Sequence, residues 1–300
     1  MRKILFFFLF LFFSLALFSQ SNIVPITTEI NGLQVVYHFP LSCKGVIYLY
    51  HGSGGSAMNW FTKTEGAIFI QMASQSGYAT VASESHDRVD KKWNPLPPHG
   101  DSNLDLLQMK AVKKYLIDRG LISSNVREFG VGMSNGGGFV SLAGHILGYR
   151  AVGIYCASGY DLLYKQPEYK MPVIFNYAEN DTIVSPSKIE KAIQYLKSKK
   201  ILLQENLKKS EPLLPHRFSR IQGISIKQSR EIFQAFQNNG YLDTHGYLIQ
   251  NPRDSGWQAI VPDAYKNYQK SIQEQLLVVY AEHQFMSDFT QKTLSFFHSF

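Results

Sequence analysis

The sequence predicts an α/β fold: an eight-stranded, mainly parallel sheet with helices on both faces and a helical insert before the last strand. Three observations predict it. Short, almost unbroken apolar runs recur at 45–50, 78–82, 128–132, 151–157, 173–177 and 276–280, the pattern of strands buried on both faces. Stretches with apolar residues at three- and four-residue steps lie between them, and such alternation suits parallel strands joined by crossover helices. The length, 300 residues, suits one large domain or a domain with an insert.

At the N-terminus, Arg2 and Lys3 precede an apolar run from Ile4 to Phe18 broken only by Ser14, and polar Ser19, Gln20 and Ser21 follow. This is the order of a secretory signal peptide. At fifteen residues the run falls short of the about 20 a spanning helix needs. Residues 1–20 are therefore expected to be removed on export to the exterior or periplasm, leaving no stable membrane span; the alternative is an uncleaved anchor. The remainder, 21–300, reads as one domain. Gly32 marks a turn between strands 26–30 and 33–38, an edge hairpin. In 102–118, Leu104, Leu107, Met109, Val112, Leu116 and Ile117 trace a helix. Apolar run 276–280 reads as the last strand, and helix 286–299 closes the chain.

The alternation fails between 203 and 272, where Pro212, Pro215, Pro252 and Pro262 fall. One helix stands out there, 226–238, stopped by Gly240. The segment reads as an insert that could cap the sheet, with Ile232, Phe233 and Phe236 turned toward the rim of the active-site pocket.

Composition narrows the function classes. A hydrophobic share of 45% can supply a sizeable core. The net charge of +7 could favour an acidic polymer or anionic surface, yet lysines such as Lys191, Lys197, Lys199 and Lys200 sit on helical faces, the pattern of solvated surface. No nucleic-acid motif is present. The two cysteines, Cys43 and Cys156, are expected at opposite edges of the sheet, too far apart for a disulfide. Neither has a C-x-x-C partner or a neighbouring His, so no metal site is expected.

The chemistry centres on Gly132-Met133-Ser134-Asn135-Gly136, between an apolar strand and the small-residue helix that starts at Gly137. A nucleophile on a tight strand-to-helix turn needs small neighbours, which Gly132 and Gly136 provide, and the helix N-terminus brings free N–H groups beside it. Upstream, His51-Gly52-Ser53-Gly54-Gly55 follows strand 45–50. An acyl-transfer site needs two donors aimed at the developing oxyanion. The Asn135 N–H is one candidate, and that of Ser53 or Gly54 is the other.

A Ser hydroxyl also needs a base, and the base an orienting carboxylate. The series HGSGG, then GMSNGGG, then Asp181 after a strand, then His283 after an apolar run resembles the α/β-hydrolase superfamily. His51-Gly52 with Gly132 to Gly137 is most similar to its secreted feruloyl-esterase and polyhydroxybutyrate-depolymerase-like group. The resemblance implies a serine esterase whose chain order of nucleophile, acid and base is met by Ser134, Asp181 and His283. Glu179 rivals Asp181 for the acid. Where many relatives have Gly just before the His, this chain has Ala281 and Glu282. Downstream of strand 78–82, Ser85-His86-Asp87-Arg88 and Trp93 are expected along the same sheet edge, with Arg88 paired to Asp87.

The resemblance implies a small-molecule or polymer-linked ester as substrate and no metal or organic cofactor, because side chains supply the nucleophile, acid and base. The rivals are a serine peptidase of the same fold and a non-catalytic secreted binding protein.

Overall fold

The computed structural model describes residues 23–300, so the predicted signal at 1–20 lies outside the described residues. The strands are β1 (Ile26–Ile30), β2 (Leu33–His38), β3 (Gly45–Tyr50), β4 (Tyr78–Ser83), β5 (Glu128–Met133), β6 (Ala151–Tyr155), β7 (Val173–Ala178) and β8 (Leu203–Lys208). The helices are α1 (Asn59–Thr62), α2 (Thr64–Gln75), α3 (Leu104–Asp118), α4 (Asn135–Leu147), α5 (Asp161–Tyr164), α6 (Pro186–Ser198), α7 (Ile226–Asn238), α8 (Gln269–Val279) and α9 (Thr290–His298). No helix among the described residues is long and apolar enough to cross a membrane.

All eight strands form one sheet in the order β1-β2-β4-β3-β5-β6-β7-β8. The expected hairpin lies at its edge: β1 pairs antiparallel with β2 through Asn31 and Gly32, both at positive φ, and β2 runs antiparallel to β4. Such a two-residue turn matches the twist of the strands it joins. From β4 onward every pairing is parallel. The central strands are buried along their full length, which explains why their sequences are continuous apolar runs rather than alternating ones. One face of the sheet packs on α3, α4 and α6 through residues such as Met109, Val112, Phe139, Val140, Ile189 and Ile193. The other packs on α2 and α9 through Phe69, Ile70, Leu294 and Phe297.

The structure corrects the end of the sequence reading. Residues 276–280 are not a strand. They end α8, whose Leu276 and Val279 face one apolar cluster while Val278 faces another. A helix buried on several sides produces the same unbroken apolar run as a buried strand. The eighth strand is β8, within the stretch taken as insert. It is the sheet's far edge, and its sequence, LQENLK, is half exposed and polar, as edge strands often are. The insert therefore begins after Lys208 and follows the last strand.

The insert also holds its own core. Ile232 and Phe236 of α7 are buried with Phe218, Trp257, Val261 and Tyr265 against Ile272, Leu276 and Val279 of α8, with Phe233 packed beside them. The apolar face of α7 is thus spent on α8 and not on the pocket rim. Buried Glu65 of α2 ties this unit down: it accepts from Arg220 at 3.0 Å, from Gln275 at 2.9 Å and from the Ser287 N–H and hydroxyl at 2.8 and 2.7 Å.

Both cysteines are free, as expected, for a different reason. Their strands, β3 and β6, are separated only by β5. Cys43 precedes the start of β3, whereas Cys156 follows the end of β6, so the two thiols lie at opposite ends of the strands.

Candidate active site

Because β3 to β8 are parallel, the residues just past their C-terminal ends gather at one edge: His51 after β3, Ser134 after β5, Cys156 after β6 and Asp181 after β7. The sheet order reverses about β3, which has β4 on one side and β5 on the other, and ligand crevices in open α/β sheets form at such switch points.

Ser134 sits on the turn between β5 and α4 with φ 56° and ψ −120°. A non-glycine residue held there stores strain that only a tightly packed turn maintains. The two glycines of the pentapeptide are required by space. A Cβ on Gly132 would lie 2.1 Å from the Gly136 carbonyl oxygen, and one on Gly136 would lie 2.3 Å from the Tyr50 carbonyl oxygen. The Ser134 N–H is donated to the Tyr155 carbonyl at 2.9 Å. The next N–H, that of Asn135, opens α4 and has no intrahelical acceptor. The Asn135 side chain is fixed from both ends by Trp93, accepting from its N–H at 2.7 Å and donating to its carbonyl at 3.0 Å.

His283 Nε2 lies 2.9 Å from Ser134 Oγ, and its Nδ1 lies 2.7 Å from Asp181 Oδ2. His283 and Asp181 are both buried. Asp181 Oδ1 accepts the N–H groups of Ile183 at 2.9 Å and Val184 at 2.7 Å, which fixes the carboxylate plane. With Nδ1 donating to the carboxylate, Nε2 is the acceptor facing the serine hydroxyl, the tautomer a general base needs. Glu179, the rival carboxylate, is exposed and accepts the Ser210 N–H at 2.5 Å, away from His283. His283 follows α8 and a left-handed Ala281, φ 58°, at the position past a helix end where glycine is usual.

On the oxyanion side one expectation fails. The Gly54 N–H is donated to the Asp90 carbonyl at 3.1 Å, so it is not free for an oxyanion. Gly52 and Ser53 line the cavity beside Ser134, and a Cβ on Gly52 would stand 3.4 Å from the Ser134 Cβ. Ser53 is therefore the loop's remaining candidate donor beside Asn135. His51 anchors the loop: Nδ1 donates to the Gly52 carbonyl at 2.8 Å and Nε2 accepts the Ser85 N–H at 3.3 Å. Burial pushes its pKa down, which favours this neutral form. Arg88 pairs with Glu84, not with Asp87, whose carboxylate accepts the Val89 and Asp90 N–H groups. Trp93 is buried, with its indole N–H on the His51 carbonyl at 3.1 Å, so it packs the loop.

Ser134 and His283 open into a cavity of about 430 Å³. Trp60, Met133, Ile183 and Phe285 give it apolar wall; Asn59, Lys63, Arg253 and Gln284 give it polar wall. Trp60 and Phe285 meet edge to face at 4.7 Å. Of the insert, Arg253 lines the cavity. Sequence reading missed Trp60 and Phe285, which carry no motif, and the role of Glu282, seen only as a departure from Gly. Cys156, Asp181 and His283 each place one donor atom within 4.8 Å of the others. Burial pushes the Cys156 thiol well up, however, and it donates to the Gln284 carbonyl, so it stands as a protonated thiol behind the Asp181–His283 pair.

The sheet order, the left-handed serine between β5 and α4 and the histidine that follows α8 and reaches this serine define the α/β-hydrolase fold. No protein-family model matches the sequence, and no curated protein matches it. Among solved structures, the chain is similar to a ferulic acid esterase at 12% identity over 63% of this chain and 89% of that one, with a TM-score of 0.48. It is similar to TT1662 from Thermus thermophilus at 15% identity over 72% and 97% of the two chains, TM-score 0.46. It is similar to an acetyl xylan esterase from Aspergillus awamori at 11% identity over 55% and 75%, TM-score 0.42. Identity is low in each case, so the roles of individual residues rest on the geometry above.

Proposed function

We propose that the protein is a serine hydrolase that cleaves carboxylic esters through an acyl-enzyme. The observation that carries the reading is the continuous chain Ser134 Oγ, His283 Nε2, His283 Nδ1, Asp181 Oδ2, with contacts of 2.9 and 2.7 Å at the mouth of a cavity. Ser134 Oγ attacks the ester carbonyl carbon as His283 Nε2 takes its proton. Asp181 holds the ring and stabilises the imidazolium that forms. The Asn135 and Ser53 N–H groups receive the charge on the carbonyl oxygen. As the tetrahedral species collapses, His283 returns the proton to the departing alcohol. A water molecule then repeats the sequence on the acyl-enzyme, releasing the carboxylic acid and restoring Ser134. Side chains supply the nucleophile, base and acid and backbone N–H groups the oxyanion donors, so the mechanism calls on no cofactor.

The partly apolar cavity suits a small-molecule ester or one end of a polymer-linked ester. Export belongs to the same proposal and rests on Arg2, Lys3 and the apolar run that ends at Phe18. The test is a panel of p-nitrophenyl esters beside aminoacyl anilides, run on the wild type and on Ser134→Ala. Ester turnover that vanishes in the variant supports the reading. Preferential anilide cleavage would make the protein a peptidase, and turnover untouched by the substitution would remove Ser134 from the chemistry.

A further inference from the structure

Glu282, the residue just before the base, is fully buried, and its carboxylate is the meeting point of three segments. Oε1 accepts the Thr182 N–H at 2.9 Å and the His283 N–H at 2.8 Å. The Thr182 hydroxyl lies 3.1 and 3.0 Å from the two carboxylate oxygens. Oε2 accepts from Asn251 Nδ2 at 2.6 Å. Thr182 follows Asp181 directly, and Asn251 belongs to the insert. One carboxylate thus joins the residue after the acid, the residue before the base and the insert. Two further bonds lace the same loops: the Asn180 N–H to the Ala281 carbonyl at 2.9 Å and Asn180 Nδ2 to the Tyr280 carbonyl at 2.7 Å. Arg253 completes the bracket, donating to the His283 carbonyl at 3.0 Å with its Nε 3.9 Å from Glu282.

A buried carboxylate persists only where donors surround it. Burial by itself pushes the Glu282 carboxyl up, but the hydrogen bonds from His283, Thr182 and Asn251 outweigh it and hold the group below the ordinary carboxylate range. The group is ionised throughout the working range of a histidine base. Its donors come from both triad loops, so the arrangement fixes the spacing of Asp181 and His283 and not merely the fold of one loop. The insert, through Asn251 and Arg253, reaches the position of the base.

On the reading that Ser134 and His283 act as nucleophile and base, we propose that Glu282 is the positioning residue of the triad, and that the insert serves the chemical step by holding this carboxylate and the His283 backbone. In Glu282→Gln, one oxygen can keep the backbone donors, but the amide N–H₂ then opposes the Asn251 amide, and the negative charge is lost. The base is left free to shift. A displacement near 1 Å costs up to about 10²-fold in rate.

The test measures the rate at which a fluorophosphonate reacts with the full-length protein, because that step reports the assisted nucleophilicity of Ser134 without knowledge of the substrate. Michaelis parameters on a p-nitrophenyl ester are measured alongside. Glu282→Gln should slow phosphonylation and kcat by tenfold or more, roughly within that 10²-fold bound, with KM unchanged. Asn251→Ala should show a smaller loss of the same kind. Thr182 is exposed, so Thr182→Val and Thr182→Ser give a folded pair should the Glu282 variant fail to fold. Val should slow phosphonylation and Ser, which keeps the hydroxyl, should restore it. A folded Glu282→Gln that phosphonylates at the wild-type rate, or a Thr182→Ser as slow as Thr182→Val, overturns the proposal. A wild type that does not label at Ser134 overturns the enzymatic reading itself, and the proposal with it.

Discussion

Gly136→Ala is the perturbation that best exposes how packing creates the site. The added Cβ would stand 2.3 Å from the Tyr50 carbonyl oxygen and 2.5 Å from that of His51, about 1 Å inside the 3.4 Å at which ordinary contact begins. Both obstacles are backbone, on β3 and the loop after it, so neither can rotate aside. The start of α4 must retreat from β3 by about 1 Å, and Ser134, one residue earlier, moves with it. Overpacking of this kind costs about 1–3 kcal/mol of stability. A shift near 1 Å between Ser134 and His283 removes up to about 10²-fold in rate. The matched control is Gly138→Ala, two residues along the same helix, where the added Cβ would meet only the Gly159 carbonyl at 3.8 Å. There the substitution should be neutral or stabilising by up to about 1 kcal/mol through helix propensity. Urea unfolding and phosphonylation rates measure the two effects. Equal stability and equal rates for Gly136→Ala and Gly138→Ala would refute the claim that close backbone approach at the turn holds Ser134 in place.

Three other outcomes are expected. Asp181→Asn should lower kcat by about 10⁴-fold through the wrong imidazole tautomer, whereas Glu179→Gln should leave kcat near wild type because Glu179 is exposed and bonded to Ser210; the reverse ranking, read from ester kinetics, would transfer the acid role. Phe236→Ala should cost about 3–5 kcal/mol in urea unfolding, since Phe236 is fully buried in the insert core against Phe218 and Trp257; a loss below 1 kcal/mol would show that the cluster is not a packed core. Glu282 is held below its ordinary value of 4.5 in the folded state, so its contribution is complete above that value and is lost as pH falls through the lower, folded value; thermal melts of wild type and Glu282→Gln should therefore converge in acid, and a constant gap down to pH 2 would contradict this.

What the sequence disclosed follows from which residues had a local reason for their identity. The turn Gly132 to Gly136 was legible because a left-handed serine admits only small neighbours, and the chain writes that requirement in five consecutive residues. The buried strands were legible as apolar runs, and α7 as an amphipathic helix stopped by Gly240. Two elements were misread because burial overrode period. The end of α8 lies between two apolar clusters and lost its polar face, and β8, on the sheet's edge, lost its apolar one. Arg88 pairs with Glu84 and not with its sequence neighbour Asp87, whose carboxylate is taken by the Val89 and Asp90 N–H groups. The oxyanion donors were narrowed only by three-dimensional bonding, since nothing in His51 to Gly55 foretells that Gly54 turns to Asp90. Glu282 was hidden for the same reason: its meaning lies in Thr182, 100 residues away in the chain, and in Asn251, 31 residues away.

The most direct test of the central claim is covalent labelling followed by peptide mapping. Full-length protein is treated with a fluorophosphonate, and the modified residue is located by mass spectrometry in the wild type, Ser134→Ala and His283→Ala. The triad predicts a single adduct on Ser134, no adduct in Ser134→Ala, labelling in His283→Ala slowed to near background, and ester turnover lowered by about 10⁴- to 10⁶-fold in both variants. An adduct on another residue, or His283→Ala labelling Ser134 at the wild-type rate, would contradict it.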